Sequence, residues 1–223
     1  MQKFFDQELN SLKTQILEMG SAVERAVEFA IRGLIERKGE CFNQVHALEE
    51  KINKFHCAVD EACLRILARQ APMASDLRVV LAIIKINTDL ERMGDQAVNI
   101  AHSGKHYISE APLKPLDDIP KMATEVRTMI RQALDACFPA DPVAAKEVVL
   151  RDDVVDQFKN KVFHDLVAII KKNPEVVERA LDLILIARNL ERLADHATNI
   201  AEDAIFIASG EDIRHGGANR SVS

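Results

Sequence analysis

INTDLERMGDQAVNIA (Ile86–Ala101) and IARNLERLADHATNIA (Ile186–Ala201) stand one hundred residues apart and agree at nine of sixteen positions. Matched apolar residues alone would reflect only the shared bias of helical proteins. Glu, Arg, Asp and Asn recurring at fixed spacing do not, so the chain reads as a duplicated unit. Before the first copy, Leu9, Leu12, Ile16, Met19, Val23, Ala26 and Ala30 alternate steps of three and four, and so do Val45, Leu48, Ile52, Phe55, Val59, Ala62 and Ile66. That is the stripe by which one helix packs on its neighbours in a bundle. Each copy of the motif therefore closes a unit of three helices, and the fold class is all-α, two tandem three-helix bundles.

The breaks between helices follow from residue chemistry. Gly39 and Pro72 punctuate the first unit, and Ser75 is the expected N-cap of a third helix running from about Asp76 to near Ile108. The opening of that helix, Leu77 to Ile86, is apolar nearly all round, which predicts a central position. The stretch SEAPLKPLDDIP (Ser109–Pro120) carries three prolines and reads as a connection. The expected division is a first unit over 1–110, a Pro-rich linker over 111–120, a second unit over 121–208, and a flexible tail over 209–223. Within the second unit helices are expected at roughly 121–138, 142–172 and 175–208.

Composition agrees and sets limits. Of 223 residues 48% are apolar, while Gly and Pro together number fifteen and Trp is absent. Such a mixture favours long helices over sheet. No apolar run reaches the ~18 residues of a membrane span, and MQKFFDQELNSL lacks the parts of a signal peptide. A cytoplasmic protein is expected. The formal charge of −6 and the absence of a basic stripe argue against nucleic acid as a partner. Cys41, Cys57, Cys63 and Cys137 show no C-x-x-C spacing, and Cys57 and Cys63 sit in an apolar helical pattern where a cysteine is usually a small buried hydrophobe.

The repeated carboxylates carry the chemical interest. Glu91 and Asp95 are four residues apart, as are Glu191 and Asp195, and at that spacing two like charges share a helix face at a cost of ~0.2–0.5 kcal/mol. The preceding helices bear Glu49 with Asn53 and Asp152 with Asp156. In an antiparallel hairpin centred on Pro72, Glu49 comes level with Asp95 and Asn53 with Glu91. In a hairpin centred between Asn173 and Pro174, Asp152 comes level with Asp195 and Asp156 with Glu191. Each unit thus gathers four oxygen-bearing side chains, and Gly94, Ala97 and Ala101, matched by Ala194, Ala197 and Ala201, allow close helix approach. Such a cluster can be solvated, paired with Arg or Lys, or neutralised by bound cations. Oxygen-only ligands suit hard ions, iron or manganese better than thiol-seeking metals. Asn99 and Asn199 extend the stripe by one turn as outer groups.

Other chemistries lack their residues. No E-x-x-H occurs, which argues against a ferritin-like di-iron oxidase. No G-x-G-x-x-G or P-loop occurs, and no organic cofactor is expected. His196 adjoins Asp195, but Gln96 replaces it in the first copy, so it reads as a surface histidine. Nothing arranges Ser, His and Asp as a nucleophilic site, so the chain does not read as an enzyme.

Taken together, the duplicated L-E-R-x-x-D-x-x-x-N-I, the A-V-D-E-A-C of Ala58–Cys63, the P-M-A-S-D-L-R of Pro72–Arg78 and the G-E-D-I-R-H of Gly210–His215 resemble the PhoU family over essentially the whole chain. The resemblance implies a cytoplasmic negative regulator of phosphate uptake and of the phosphate-starvation response. It implies a scaffold between the ATPase subunit of the phosphate ABC transporter and a sensor histidine kinase, and a homodimer. It also implies that Glu49, Asn53, Glu91, Asp95, Asp152, Asp156, Glu191 and Asp195 occupy positions that hold metal ions (iron, manganese, zinc or magnesium), with Asn53 weakening the first cluster. Two other readings remain open: a metal-dependent phosphohydrolase, and a metal-free helical adaptor whose acidic faces are solvated or dock a partner.

Overall fold

The structure, a computed structural model, describes residues 2–113 and 116–211. Six helices run in the order α1 (Gln2–Glu36), α2 (Gly39–Gln70), α3 (Ser75–Ile108), α4 (Asp118–Cys137), α5 (Pro142–Lys172) and α6 (Val177–Ser209), with a 3-10 turn at Pro174–Val176 before α6. The described residues contain no strand. Helices α1, α2 and α3 pack on one another, as do α4, α5 and α6, so the duplicated unit is a three-helix bundle. Most of the expected tail, and Asp212 to His215 of the G-E-D-I-R-H motif, lie outside the described residues.

The apolar stripes do the work the spacing assigns to them. On α2 the row Val45, Ile52, Val59 and Ile66 is buried, while Leu48, Phe55 and Ala62 are only partly covered. The equivalent row on α5, Val148, Val155 and Val162, is buried in the same way. One narrow row each marks α2 and α5 as the outer helices of their bundles. Helix α3 is covered by α1, α2 and α6, which explains the nearly all-round apolarity of its first turns. The two bundles do not keep separate cores. Helix α3 packs along α6 and α1 against α4, and the buried side chains of both repeats form one continuous core. At Gly20 this approach is close: a Cβ there would lie 2.1 Å from Leu134 Cδ1.

The helix ends show where local chemistry acts. Asp141 caps α5, accepting from the amides of Val143 and Ala144, with Pro142 at the first helical position. Asn173 starts the 3-10 turn by accepting from the Glu175 amide. Ser75, expected as an N-cap, is instead the first helical residue of α3. The cap is Ala74, with φ of 48° and no side-chain bond. The connection after α3 is shorter than its prolines suggested, because Asp118, Ile119 and Pro120 form the first turn of α4, where a proline lacks nothing the helix needs. It is also pinned. Arg37 Nη2 donates to the carbonyls of Ile108 (2.7 Å) and Glu110, Leu113 N donates to the Tyr107 hydroxyl (3.1 Å), and Arg179 Nη1 donates to Ala111 O (2.9 Å). All four cysteines are free; Cys63 is buried as expected, but Cys57 is exposed. No helix among the described residues is long and apolar enough to cross a membrane.

Candidate functional site

In each repeat the two helices expected to form a hairpin do pack on each other. In the first, α2 and α3 come so close that a Cβ on Gly94 would meet Ile52 Cδ1 at 3.2 Å. Near that contact, Asn53 Nδ2 donates to Glu49 Oε1 across one turn of α2. Further along, Asn87 Nδ2 donates to His56 O (3.0 Å) and Asp60 Oδ1 (2.9 Å), tying α3 to α2. Glu49, Asn53 and Glu91 are half-buried and Asp95 is exposed.

The second hairpin is more crowded. Burial pushes the Asp152 carboxyl up to about 6, aided by the charges of Asp195, Asp156 and Glu191. Loss of solvent around the Asp195 carboxyl and the adjacent Glu191 charge also raise Asp195, while His196 and Lys159 oppose them. The four side chains that sequence symmetry brought level therefore feel one another. Between them stands a group the symmetry argument did not include. Lys159 Nζ lies 2.7 Å from Asp156 Oδ1 and 3.1 Å from Glu191 Oε1, joining α5 to α6. The Asp156 hydrogen bond, reinforced by Glu191, holds this ammonium in its charged form.

The donor chemistry of both clusters, carboxylates with one amide oxygen, suits a hard cation. Their present arrangement does not converge on a point. Among the described residues no group of three or more His, Cys, Asp and Glu is set to hold a metal ion. Two candidate ligands in the second cluster are engaged by Lys159, and one in the first is engaged by Asn53. A cation would enter by displacing these bonds.

A second polar region lies where α3 crosses α6. Lys85 Nζ is 3.4 Å from Asp203 Oδ1, His196 Nδ1 is 2.8 Å from Asp89 Oδ1, Asn199 Nδ2 is 3.3 Å from the same oxygen, and His106 Nδ1 is 2.6 Å from Asp182 Oδ2. These pairs place the two helices antiparallel, with Gly94 and Ala194 level at the midpoint. Asp89, Asp182 and Asp203 are buried, so each charge needs the partner it has. His196 is thus not the surface histidine expected: its side chain is 14% exposed and bridges the repeats. Asn199 faces Asp89 rather than the carboxylate stripe, whereas Asn99 is exposed.

The PhoU domain model matches residues 16–103 and again 119–204, one match per bundle. A phosphate-specific transport system accessory protein PhoU homologue of Pseudomonas putida is 37% identical over 220 residues, covering 98% of this chain and 86% of that protein. The Pseudomonas aeruginosa homologue of the same description is 36% identical over 217 residues, covering 97% of this chain and 90% of the relative. The crystal structure of PhoU from Pseudomonas aeruginosa superposes with a TM-score of 0.89 at 35% identity, covering 92% of this chain and 99% of that one. The phosphate transport system regulatory protein PhoU from Streptococcus pneumoniae gives a TM-score of 0.85 at 26% identity, covering 93% and 98%.

Proposed function

The chain belongs to the PhoU family, and on that footing we propose that it is an accessory regulator of phosphate-specific transport, acting by binding rather than by turnover. The observation that carries this reading is likeness over nearly the full length of both this chain and its relatives, with both repeats present. A six-helix body with one continuous core offers rigid faces, and a rigid body shifts a partner's conformational equilibrium by binding one of its states better. The partners we assign are the ATPase subunit of the phosphate ABC transporter and the sensor histidine kinase of the phosphate response. With phosphate plentiful, the chain restrains uptake and favours the kinase's signal-off state. It works at the cytoplasmic side of the membrane, as a homodimer of the 24.9 kDa chain, which light scattering would weigh directly.

The acidic hairpins are the proposed cation sites: Glu49, Asn53, Glu91 and Asp95 in the first, Asp152, Asp156, Glu191 and Asp195 in the second. A bound iron, manganese, zinc or magnesium ion would supply positive charge that the clustered carboxylates need and could tie α2 to α3, or α5 to α6. The regulatory reading is tested by removing the chain from its host and growing the cells in phosphate-rich medium. Unrestrained phosphate uptake and an induced starvation reporter, both reversed by restoring the chain, are expected. Unchanged uptake and a silent reporter would overturn it.

A further inference from the structure

The α5–α6 hairpin carries an open seam where its repeat partner carries a closed one. In the first repeat α2 and α3 are laced together by polar side chains. Asn87 Nδ2 donates to His56 O and to Asp60 Oδ1, His56 Nδ1 lies 3.4 Å from Asn87 O, and His56 Nε2 lies 3.5 Å from Asp60 Oδ2. The corresponding residues of the second repeat are Ala187 for Asn87, Phe163 for Asp60 and Lys159 for His56. Alanine and phenylalanine side chains offer no hydrogen bond, and Lys159 turns instead to Asp156 and Glu191. Where the lacing is missing, a cleft of about 410 Å³ opens between the helices. Phe163, Ile184 and Ala187 form its apolar lining, with Lys159, Asn160 and Arg188 at its polar edge.

The seam runs on beyond the cleft. Val177, Leu181, Ile184 and Arg188 recur at steps of four, three and four, so they lie along one face of α6. That face spans about 16 Å, three turns at a rise of about 1.5 Å per residue. Leu181 is 48% exposed, Val177 39%, and Phe163 on α5 47%. Val167 and Ile170 repeat the spacing of Phe163 along α5 and are half-buried. Single apolar residues on a surface need no explanation, whereas a row of them continuing out of a cleft reads as an interface.

The charges say what fits. The chain carries −6 overall, yet Arg188 at the edge of the cleft makes no ion pair among the described residues. Glu191, the acid of the lining, is already held by Lys159 at 3.1 Å. The seam thus offers apolar length with an unpaired guanidinium at one end. A small anion would leave the apolar length bare, and a wholly apolar segment would cover Arg188 without a partner. An amphipathic helix satisfies both, with apolar residues at i, i+3/i+4 and i+7 and a carboxylate at the end that meets Arg188.

We propose that the α5–α6 seam is a docking groove for an amphipathic, acidic helix of a partner protein, with Phe163 and Leu181 holding its apolar side chains and Arg188 its carboxylate. The equivalent place in the first repeat is filled by Asn87 and Asp60, so the duplicated chain offers this groove once. The proposal deepens the binding reading given above, and it rests on that reading only for which proteins supply the helix.

The test uses the full chain in its host, with the photo-crosslinker p-benzoylphenylalanine in place of Phe163 or, as a control, of the exposed Gln157 on another face of α5. Mass spectrometry identifies the crosslinked peptide. An adduct at the Phe163 position and none at the Gln157 position is expected, mapping to a partner segment with helically spaced apolar residues and an acid beside them. A synthetic peptide of that segment should bind the purified chain, and bind R188E on the order of tenfold more weakly. Changing the peptide's acid to Lys should restore binding to R188E. Arg188 is exposed and unpaired, so R188E should melt with the wild type. No adduct at the Phe163 position, an adduct to a second copy of this chain, or a peptide that binds wild type and R188E alike would overturn the proposal. A segment that meets every expectation but belongs to neither the transporter ATPase subunit nor the sensor kinase would leave the groove standing and sink the partner assignment made above.

Discussion

Exchanging one methyl group across the α2–α3 contact tests the packing on which the first acidic hairpin depends. Gly94 faces Ile52, and the corresponding positions of the second repeat are Ala194 and Val155, all buried. Glycine with isoleucine and alanine with valine contain the same number of side-chain carbons, so the two repeats place one carbon on opposite sides of the contact. A Cβ added at Gly94 would stand 3.2 Å from Ile52 Cδ1 and 3.3 Å from Cγ2, closer than side chains settle. Overpacking of this kind costs about 1–3 kcal/mol, against which alanine gains about 1 kcal/mol in helix propensity over glycine. Gly94→Ala alone should therefore be neutral to about 2 kcal/mol destabilising. Ile52→Val alone removes Cδ1 and should cost about 0.5–1.5 kcal/mol. Together they reproduce the second repeat's solution, remove the nearest clash and keep the propensity gain. The double variant should be at least as stable as the wild type, with a favourable coupling of about 1 kcal/mol or more. Urea unfolding of the four proteins in EDTA measures this. Effects that add within about 0.5 kcal/mol would show that the two positions do not share a contact, and the hairpin register would be wrong.

Other expectations follow from single sites. Phe42 sits between two glycines: a Cβ on Gly33 would lie 2.6 Å from its ring and one on Gly104 2.9 Å. Gly33→Ala should therefore destabilise by about 1–2 kcal/mol; a gain of about 1 kcal/mol in denaturant unfolding, as propensity alone would give, contradicts this contact. Because the Asp152 carboxyl is pushed up to about 6, the folded chain holds its proton more tightly than the unfolded chain does. That stabilisation is present in acid and lost as pH rises from about 4 to 6, leaving a cost of about 1 kcal/mol near neutrality after solvent screening. Asp152→Asn in EDTA should be the more stable protein near pH 7.5 and no better than wild type near pH 4.5; thermal unfolding at both values decides it. The hydrogen bond that His106 donates to Asp182 raises the histidine, so this contact stabilises fully below the unfolded histidine's titration and fades as pH climbs through the raised value. The stability difference between wild type and His106→Gln should shrink on going from about pH 6 to about pH 9, and a constant difference would contradict an ionic contact.

What could be read from the chain, and what could not, divides along physical lines. A helix stripe and an antiparallel hairpin are arithmetic on residue numbers, so the six helices and the register that sets Asp152 near Asp195 were legible. The closing of α4 over Asp118–Pro120 was not, because a proline is as acceptable in a first helical turn as in a linker. Lys159 was missed because only oxygen donors were counted at the level of the cluster, although its position on the face of Asp152 and Asp156 was there to be seen. The α3–α6 seam was invisible for a deeper reason. A repeat is found by what its copies share, and the seam is built from what they do not. Lys85 answers to Leu185, Asp203 to Ser103, His106 to Phe206, Asp182 to Ala82, and His196 to Gln96. Each ion pair is therefore made once, although the pseudo-symmetry offers two places for it. Charges distributed in this way fix the register of two otherwise similar helices, because any other pairing leaves a buried aspartate without a cation.

The claim that this chain regulates phosphate transport by direct contact is tested most directly by binding. The ATPase subunit of the phosphate ABC transporter from the same organism is immobilised beside the ATPase subunit of an unrelated ABC importer, and the purified full chain is passed over both. The account predicts saturable, reversible binding to the phosphate subunit and none to the other. Absence of binding to the phosphate subunit, or equal binding to both, would contradict it.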